Sequence, residues 1–248
     1  MEKCLNCGTK LMGKFCYHCG QEKIVDDSNM KALLKDFFRN SFRWESTYFA
    51  TIKKLFTAPG IFIKNYIEGK RKPYIKPVTF FILVVSFYII TFHTFSENDF
   101  SYMSRTFLGE TSKEIIILGV SVAEFQHFIT NKMNYMIFIQ PVFYAYFFTL
   151  FFRKPKIKIA ESFIFYFYIM GAGFLIAALF IFLSLINSNI WNLRFFPMAV
   201  FEIYAMIQFT QSKTASGILK SAAVLLLGSV SYIITASAIV IGYLKLTH

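Results

Sequence analysis

The sequence predicts an all-α multi-pass membrane bundle of about five transmembrane helices, with a small N-terminal zinc ribbon. Three observations carry this prediction. The 248-residue chain is 56% hydrophobic and only 16% charged, with 32 Phe and 14 Tyr. A soluble domain is nearer a quarter charged, so too few charges exist here to coat a water-facing surface. All four cysteines stand within the first nineteen residues, as two CxxC pairs. Five apolar segments then follow.

The ribbon, residues 1–22, comes first. Cys4 and Cys7 precede Gly8, and Cys16 and Cys19 precede Gly20. Two intervening residues let both thiolates of a pair reach one ion, and the following glycine supplies the positive φ such a turn needs. The eight residues between the pairs fit a short hairpin with Met12-Gly13 near its tip. Four thiolates in tetrahedral array suit a closed structural Zn²⁺ site with no open position for water or substrate. A module this small cannot fold on its core alone; metal would supply roughly 10–16 kcal/mol. Lys3, Lys10 and Lys14 would offset the charge of the thiolates. A redox CxxC would want a βαβ context, and haem attachment would want His where Gly stands. His18 reads as an exposed turn residue, not a ligand. Thiols held for metal fit a reducing compartment, and the opening residues lack a signal-peptide pattern, so the amino end is expected in the cytoplasm.

Residues 23–77 read as a linker and amphipathic interfacial helices. Ser28 or Asn29 is placed to cap a helix. Apolar residues then recur at helical spacing (Met30, Leu33, Leu34, Phe37, Phe38, Phe42, Tyr48, Phe49, Ile52, Leu55, Phe56), with Lys and Arg largely off the stripe, a pattern for lying in the interface plane. Pro59-Gly60 ends this run, and a short helical piece, 61–68, follows. Next comes a basic turn holding Lys70, Arg71, Lys72 and Tyr74. It is a candidate contact for anionic lipid headgroups, and equally an orientation signal that holds this end inside.

Residues 78–248 form the membrane domain. The expected spans are 78–95, 135–152, 162–186, 195–209 and 219–244; the fourth is the least secure by length, since a helix needs about 20 residues to cross. Residues 115–122 are too few to span and are expected within a helix on the outer face. Lys and Arg number 15 in residues 1–77, 3 in 96–134, 4 in 153–161, 1 in 187–194, 2 in 210–220 and 1 in the tail. That alternation places the amino end in the cytoplasm and the carboxyl end outside. Small residues (Gly171, Gly173 and Ala177; Gly228, Ser231, Ala238 and Gly242) allow close helix approach.

Glu202 lies seven positions from each end of the fourth segment. A charge at a helix centre costs about 2.5–3.5 kcal/mol on insertion scales, so Glu202 must face the bundle, meet water or hold a proton. With Gln140 it forms the candidate intramembrane polar site. Gln208 is expected to form hydrogen bonds between helices or at a span end. No catalytic constellation is visible. A nucleic-acid partner is disfavoured, because the ribbon lacks aromatic–basic interleaving beyond Phe15, Tyr17 and its lysines. The expected function is non-catalytic: the ribbon docks a protein partner and the bundle organises a membrane complex among lipids. The alternatives are a small transporter or channel using Glu202, and an intramembrane enzyme acting on lipid. Nothing in the sequence sets the oligomeric state.

Three features in order resemble an uncharacterised family of bacterial multi-pass inner-membrane proteins of unknown function. They are the cysteine ribbon at 4–20, the segment running from Pro59-Gly60 through Gly69-Lys70-Arg71 and Tyr74-Ile75 to Pro77, and Gln140-Pro141. The resemblance implies the bacterial inner membrane and no established activity. Family members often carry histidine in the stretch that is 160–168 here, where this chain has none. A fainter likeness is to Yip1-type proteins, which also have a cytoplasmic amino region and five spans.

Overall fold

A computed structural model describes residues 2–23, 45–95, 116–117, 120–121, 128, 136–152, 157–187, 190–212 and 214–247. The expected cap at Ser28 or Asn29, the stripe from Met30 to Phe42 and most of the 96–134 loop lie outside the described residues.

Helix α1 (Glu45–Thr57) runs into α2 (Pro59–Ile67). The break falls at Ala58, whose backbone leaves helical geometry before Pro59 starts the next helix; proline has no N–H to lose there. Five of the nine residues of α2 are buried, Pro59, Gly60, Phe62, Ile63 and Tyr66, so this short helix is wedged into the bundle. Its seat explains Pro59-Gly60. A Cβ on Gly60 would lie 2.3 Å from the Phe209 nitrogen and 2.7 Å from the Ala205 oxygen. Instead the Gly60 N–H donates to Gln208 Oε1 at 2.8 Å, which satisfies a helix-start donor.

The membrane domain comprises α3 (Pro77–Phe95), α4 (Gln140–Phe151, entered through a 3-10 turn at Ile137–Ile139), α5 (Ile159–Ser184), α6 (Ile190–Leu193), α7 (Phe195–Thr210) and α8 (Ala215–Thr247). Among the described residues, four runs are long and apolar enough to cross a membrane: Pro77–Phe95, Ile159–Ser184, Ile190–Thr210 and Ala215–Leu246. The weak fourth segment is therefore stronger than its expected bounds, because helix already begins at Ile190. The expected second span is weaker. Helix there covers Ile137–Phe151, about 22 Å at 1.5 Å per residue, short of a hydrocarbon core of about 30 Å.

Helix α5 is the central post, with 67% of its apolar window buried against 17% for α8. Ring contacts give the directions. Phe80 meets Tyr168, Tyr88 meets Phe174 and Phe95 meets Phe182, so α3 and α5 run parallel. Phe148 stacks on Phe165 while Thr149 bonds Ser162, so α4 runs antiparallel to α5. Phe209 meets Phe165 and Met198 approaches Gly173, which makes α7 antiparallel as well. The small residues seat rings here more than backbones: a Cβ on Gly171 would strike the Phe80 ring, and one on Gly228 the Tyr144 ring.

Two expectations are corrected. Within 115–122 the chain forms two short strands, β1 (Ile116–Ile117) and β2 (Val120–Ser121), paired antiparallel, where a helix was expected; a β-branched run favours extended backbone. In the ribbon, Lys3 pairs with Lys10 and Phe15 with Glu22. Each cysteine pair thus closes its own small hairpin, and Met12-Gly13 is the joint between them instead of the tip of one.

Candidate metal centre, its seat and the intramembrane polar layer

The ribbon is one unit repeated at an offset of twelve residues. The Cys4 N–H donates to the Thr9 carbonyl and the Gly8 N–H to the Cys4 carbonyl; twelve residues on, Cys16 donates to Gln21 and Gly20 to Cys16, all at 2.8 Å. Gly8 and Gly20 hold matching φ of 76° and 68°, open to glycine at little cost. Each repeat aims two thiols inward, and all four sulfurs lie within 4.8 Å of one another. Cys4 and Cys19 approach to 3.6 Å, as do Cys7 and Cys16. A tetrahedral site with metal–sulfur bonds near 2.3 Å sets its sulfurs about 3.8 Å apart, so the four fit one metal ion. His18 is exposed and outside the cluster.

The thiols are not equivalent. Burial pushes Cys4 up to about 11. Cys7 is lowered to about 5, chiefly by the Thr9 side chain 3.3 Å away and then by the Thr9 backbone.

The repeat breaks its symmetry at the residue after the glycine. Thr9 turns inward to Cys7, whereas Gln21 reaches out of the ribbon and is buried against the basic turn. Its Nε2 donates to the Gly69 carbonyl at 2.8 Å, and its Oε1 accepts from the backbone N–H groups of Arg71 at 3.3 Å and Lys72 at 3.1 Å. Lys72 Nζ returns a hydrogen bond to the Gly20 carbonyl at 3.1 Å. Leu5 closes the contact from the first repeat: a Cβ on Gly69 would lie 2.6 Å from its side chain, and Gly69 holds φ at 110°, where other residues are strained.

The candidate headgroup residues are therefore spent largely within the chain. Lys70 Nζ donates to Asn65 Oδ1, Arg71 Nε donates to the Tyr66 carbonyl beneath a cation–π approach of 5.4 Å, and the Tyr74 ring stands edge-on to Phe62. The same segment is pinned further along. Ile75 donates to Thr51 Oγ1 on α1, and the Tyr168 hydroxyl on α5 donates to the Ile75 carbonyl. Ribbon, α1, α2 and α5 thus meet on one turn, immediately before α3.

A second polar region lies inside the bundle. Glu202 is 8% exposed, and its carboxyl has no hydrogen bond or ion pair among the described residues. Tyr144 of α4 and Tyr166 of α5 lie within its electrostatic reach. Gln140 stands one helical turn before Tyr144 on α4, and the Tyr144 hydroxyl lies 2.7 Å from Ser229 Oγ of α8. Of the two intramembrane candidates, Gln140 thus lies on the same helix as Tyr144, and Glu202 lies within electrostatic reach of that tyrosine. Sequence reasoning missed Tyr144, Tyr166 and Ser229, because ordinary apolar-span tyrosines and serines carry no local signal. It also missed Gln21, although aligning the two CxxCG repeats exposes it as the position where Thr becomes Gln.

Neither the curated proteins nor the solved structures contain a match to this chain. The sequence model of a family described as "Protein of unknown function (DUF3667)" matches residues 45–89. That stretch holds α1, α2, the basic turn and most of α3, so the chain is similar to this family over the seat on which the ribbon rests.

Proposed function

We propose that this is a non-catalytic membrane protein whose zinc ribbon docks a protein partner and couples it to a helical bundle. The carrying observation is the ribbon's two-sidedness. Gln21 and Leu5 fasten it to the turn, while Met12, Phe15 and Tyr17 stay 80%, 58% and 71% exposed. Large apolar side chains left outside on so small a module fit a docking surface. Zn²⁺ is the metal this reading assigns, because four thiolates at these spacings suit it and leave no position open for chemistry. The ribbon would lie on the cytoplasmic side of a bacterial inner membrane, on the excess of Lys and Arg in residues 1–77.

The reading takes five crossings. Helices α3 and α5 run parallel, so the chain must return across the membrane between them, and α4 runs in the returning direction. Its described helix is short, and five crossings leave the carboxyl end outside.

The test is crosslinking from the ribbon in intact membranes, followed by mass spectrometry. The reading expects specific protein adducts that vanish in Cys4→Ser with Cys7→Ser while the bundle still inserts. Adducts that persist unchanged in that variant would count against it. A second reading, a small transporter, is favoured by one observation: a buried carboxyl with no hydrogen bond or ion pair among the described residues, within electrostatic reach of Tyr144 and Tyr166. It requires Glu202→Gln to alter flux in liposomes, and wild-type flux in that variant would remove it.

A further inference from the structure

We infer that the Gly69–Lys72 turn is a binding site for a phosphate-bearing anion, and that the metal-loaded ribbon covers it. The inference rests on the reading of the ribbon as a metal module and goes beyond docking.

Two successive backbone N–H groups, of Arg71 and Lys72, converge on one oxygen, Gln21 Oε1, at 3.3 and 3.1 Å. Converging backbone N–H groups in a turn form an anion-binding concavity. Three cations surround it, Lys70, Arg71 and Lys72. None of them pairs with a carboxylate among the described residues, whereas Lys14 pairs with Glu22 and Lys23 with Glu2 within the ribbon. The oxygen that fills this positive turn belongs to a neutral amide. A phosphate oxygen would make the same two hydrogen bonds with charge assistance, which roughly doubles their strength. It would also draw on Lys70 and on the Lys72 ammonium, which now donates to the Gly20 carbonyl.

The cover is removable. Gln21 is presented by the second repeat, whose hydrogen bonds from Gly20 to Cys16 and from Cys16 to Gln21 are organised around the sulfurs. A module of this size without metal loses its fold, and Gln21 loses its placement. The turn itself stays, because Thr51 and Tyr168 hold Ile75 independently of the ribbon. Its place directly before the first span puts it where lipid headgroups lie. Ribbon and anion then compete for one site, so by linkage each weakens the other.

The test uses the full-length protein in neutral-lipid nanodiscs, titrated with short-chain phosphatidic acid and, separately, with inorganic phosphate. Chelated wild type and metal-loaded Gln21→Ala should each bind phosphatidic acid about tenfold tighter than metal-loaded wild type, equivalent to about 1.4 kcal/mol. Lys70→Ala with Lys72→Ala should abolish that gain, and phosphatidic acid should speed loss of metal to a chelator. Inorganic phosphate matching the lipid would assign the site to free phosphate and retain the anion. Equal binding by all metal-loaded and metal-free forms would overturn the proposal. Metal content is measured alongside. A protein that never holds metal, yet gains binding in Gln21→Ala, would sink the zinc reading and leave the anion site standing.

Discussion

The ribbon seat and the layer around Glu202 use polar groups in opposite ways. At the seat, the polar groups where turn and ribbon meet are joined by hydrogen bonds: Gln21 alone makes three. In the layer, Tyr144 is well partnered, yet the buried carboxyl beside it is not. The seat is built for specific attachment by short-range geometry. The layer leaves one ionisable group without a cation, which in a low-dielectric bundle is a cost borne by packing. One region is fastened by hydrogen bonds from a small module built on the four-cysteine cluster, the other by long-range helix contacts.

Metal removal gives the largest separation of the two. Chelation, or Cys4→Ser with Cys7→Ser, should cost the ribbon most of the roughly 10–16 kcal/mol that metal supplies to such modules. Proteolysis should then cut within residues 2–23 while thermal unfolding of the bundle is unchanged; a bundle that melts with the ribbon would erase the distinction. Gly60→Ala should do the reverse. Its Cβ would meet the α7 backbone at 2.3 Å, and overpacking against backbone costs about 3 kcal/mol. The bundle's melting temperature should fall with metal content intact.

The legibility of the sequence divides along the same line. The four cysteines that could hold a metal could be read because their chemistry is local: spacing and glycines carry it. Four of the five expected spans could be read from composition, since lipid selects apolar runs wherever they lie; the second, Ile137–Phe151, is shorter than expected. The seat could not, because it joins residue 21 to residues 69–72 across 48 positions and more, and no periodicity reports such a pairing. Pro59-Gly60 was visible as a break, but its cause, the α7 backbone at 205–209, was not. Residues 115–122 were misread because a short β-branched apolar run fits helix and strand alike.

Smaller effects sharpen the comparison. Gln21→Ala should weaken the ribbon's attachment by about 1–3 kcal/mol, the range for leaving buried partners unsatisfied, with metal still bound. Limited crosslinking between ribbon and turn measures it. The smallest change is expected in the layer. Tyr144→Phe removes the bond to Ser229, and such interhelical hydrogen bonds in membranes average about 0.6 kcal/mol. Detergent unfolding that shows a loss several times larger would mean the layer is a tightly coupled network.

The central claim is that a metal-organised Gln21 holds the ribbon on the turn before the first span. Hydrogen exchange at the backbone N–H of Lys72, in full-length protein in nanodiscs, tests it most directly. The account predicts protection in the metal-loaded protein, lost on chelation and equally lost in metal-loaded Gln21→Ala. Protection that survives both treatments would contradict it.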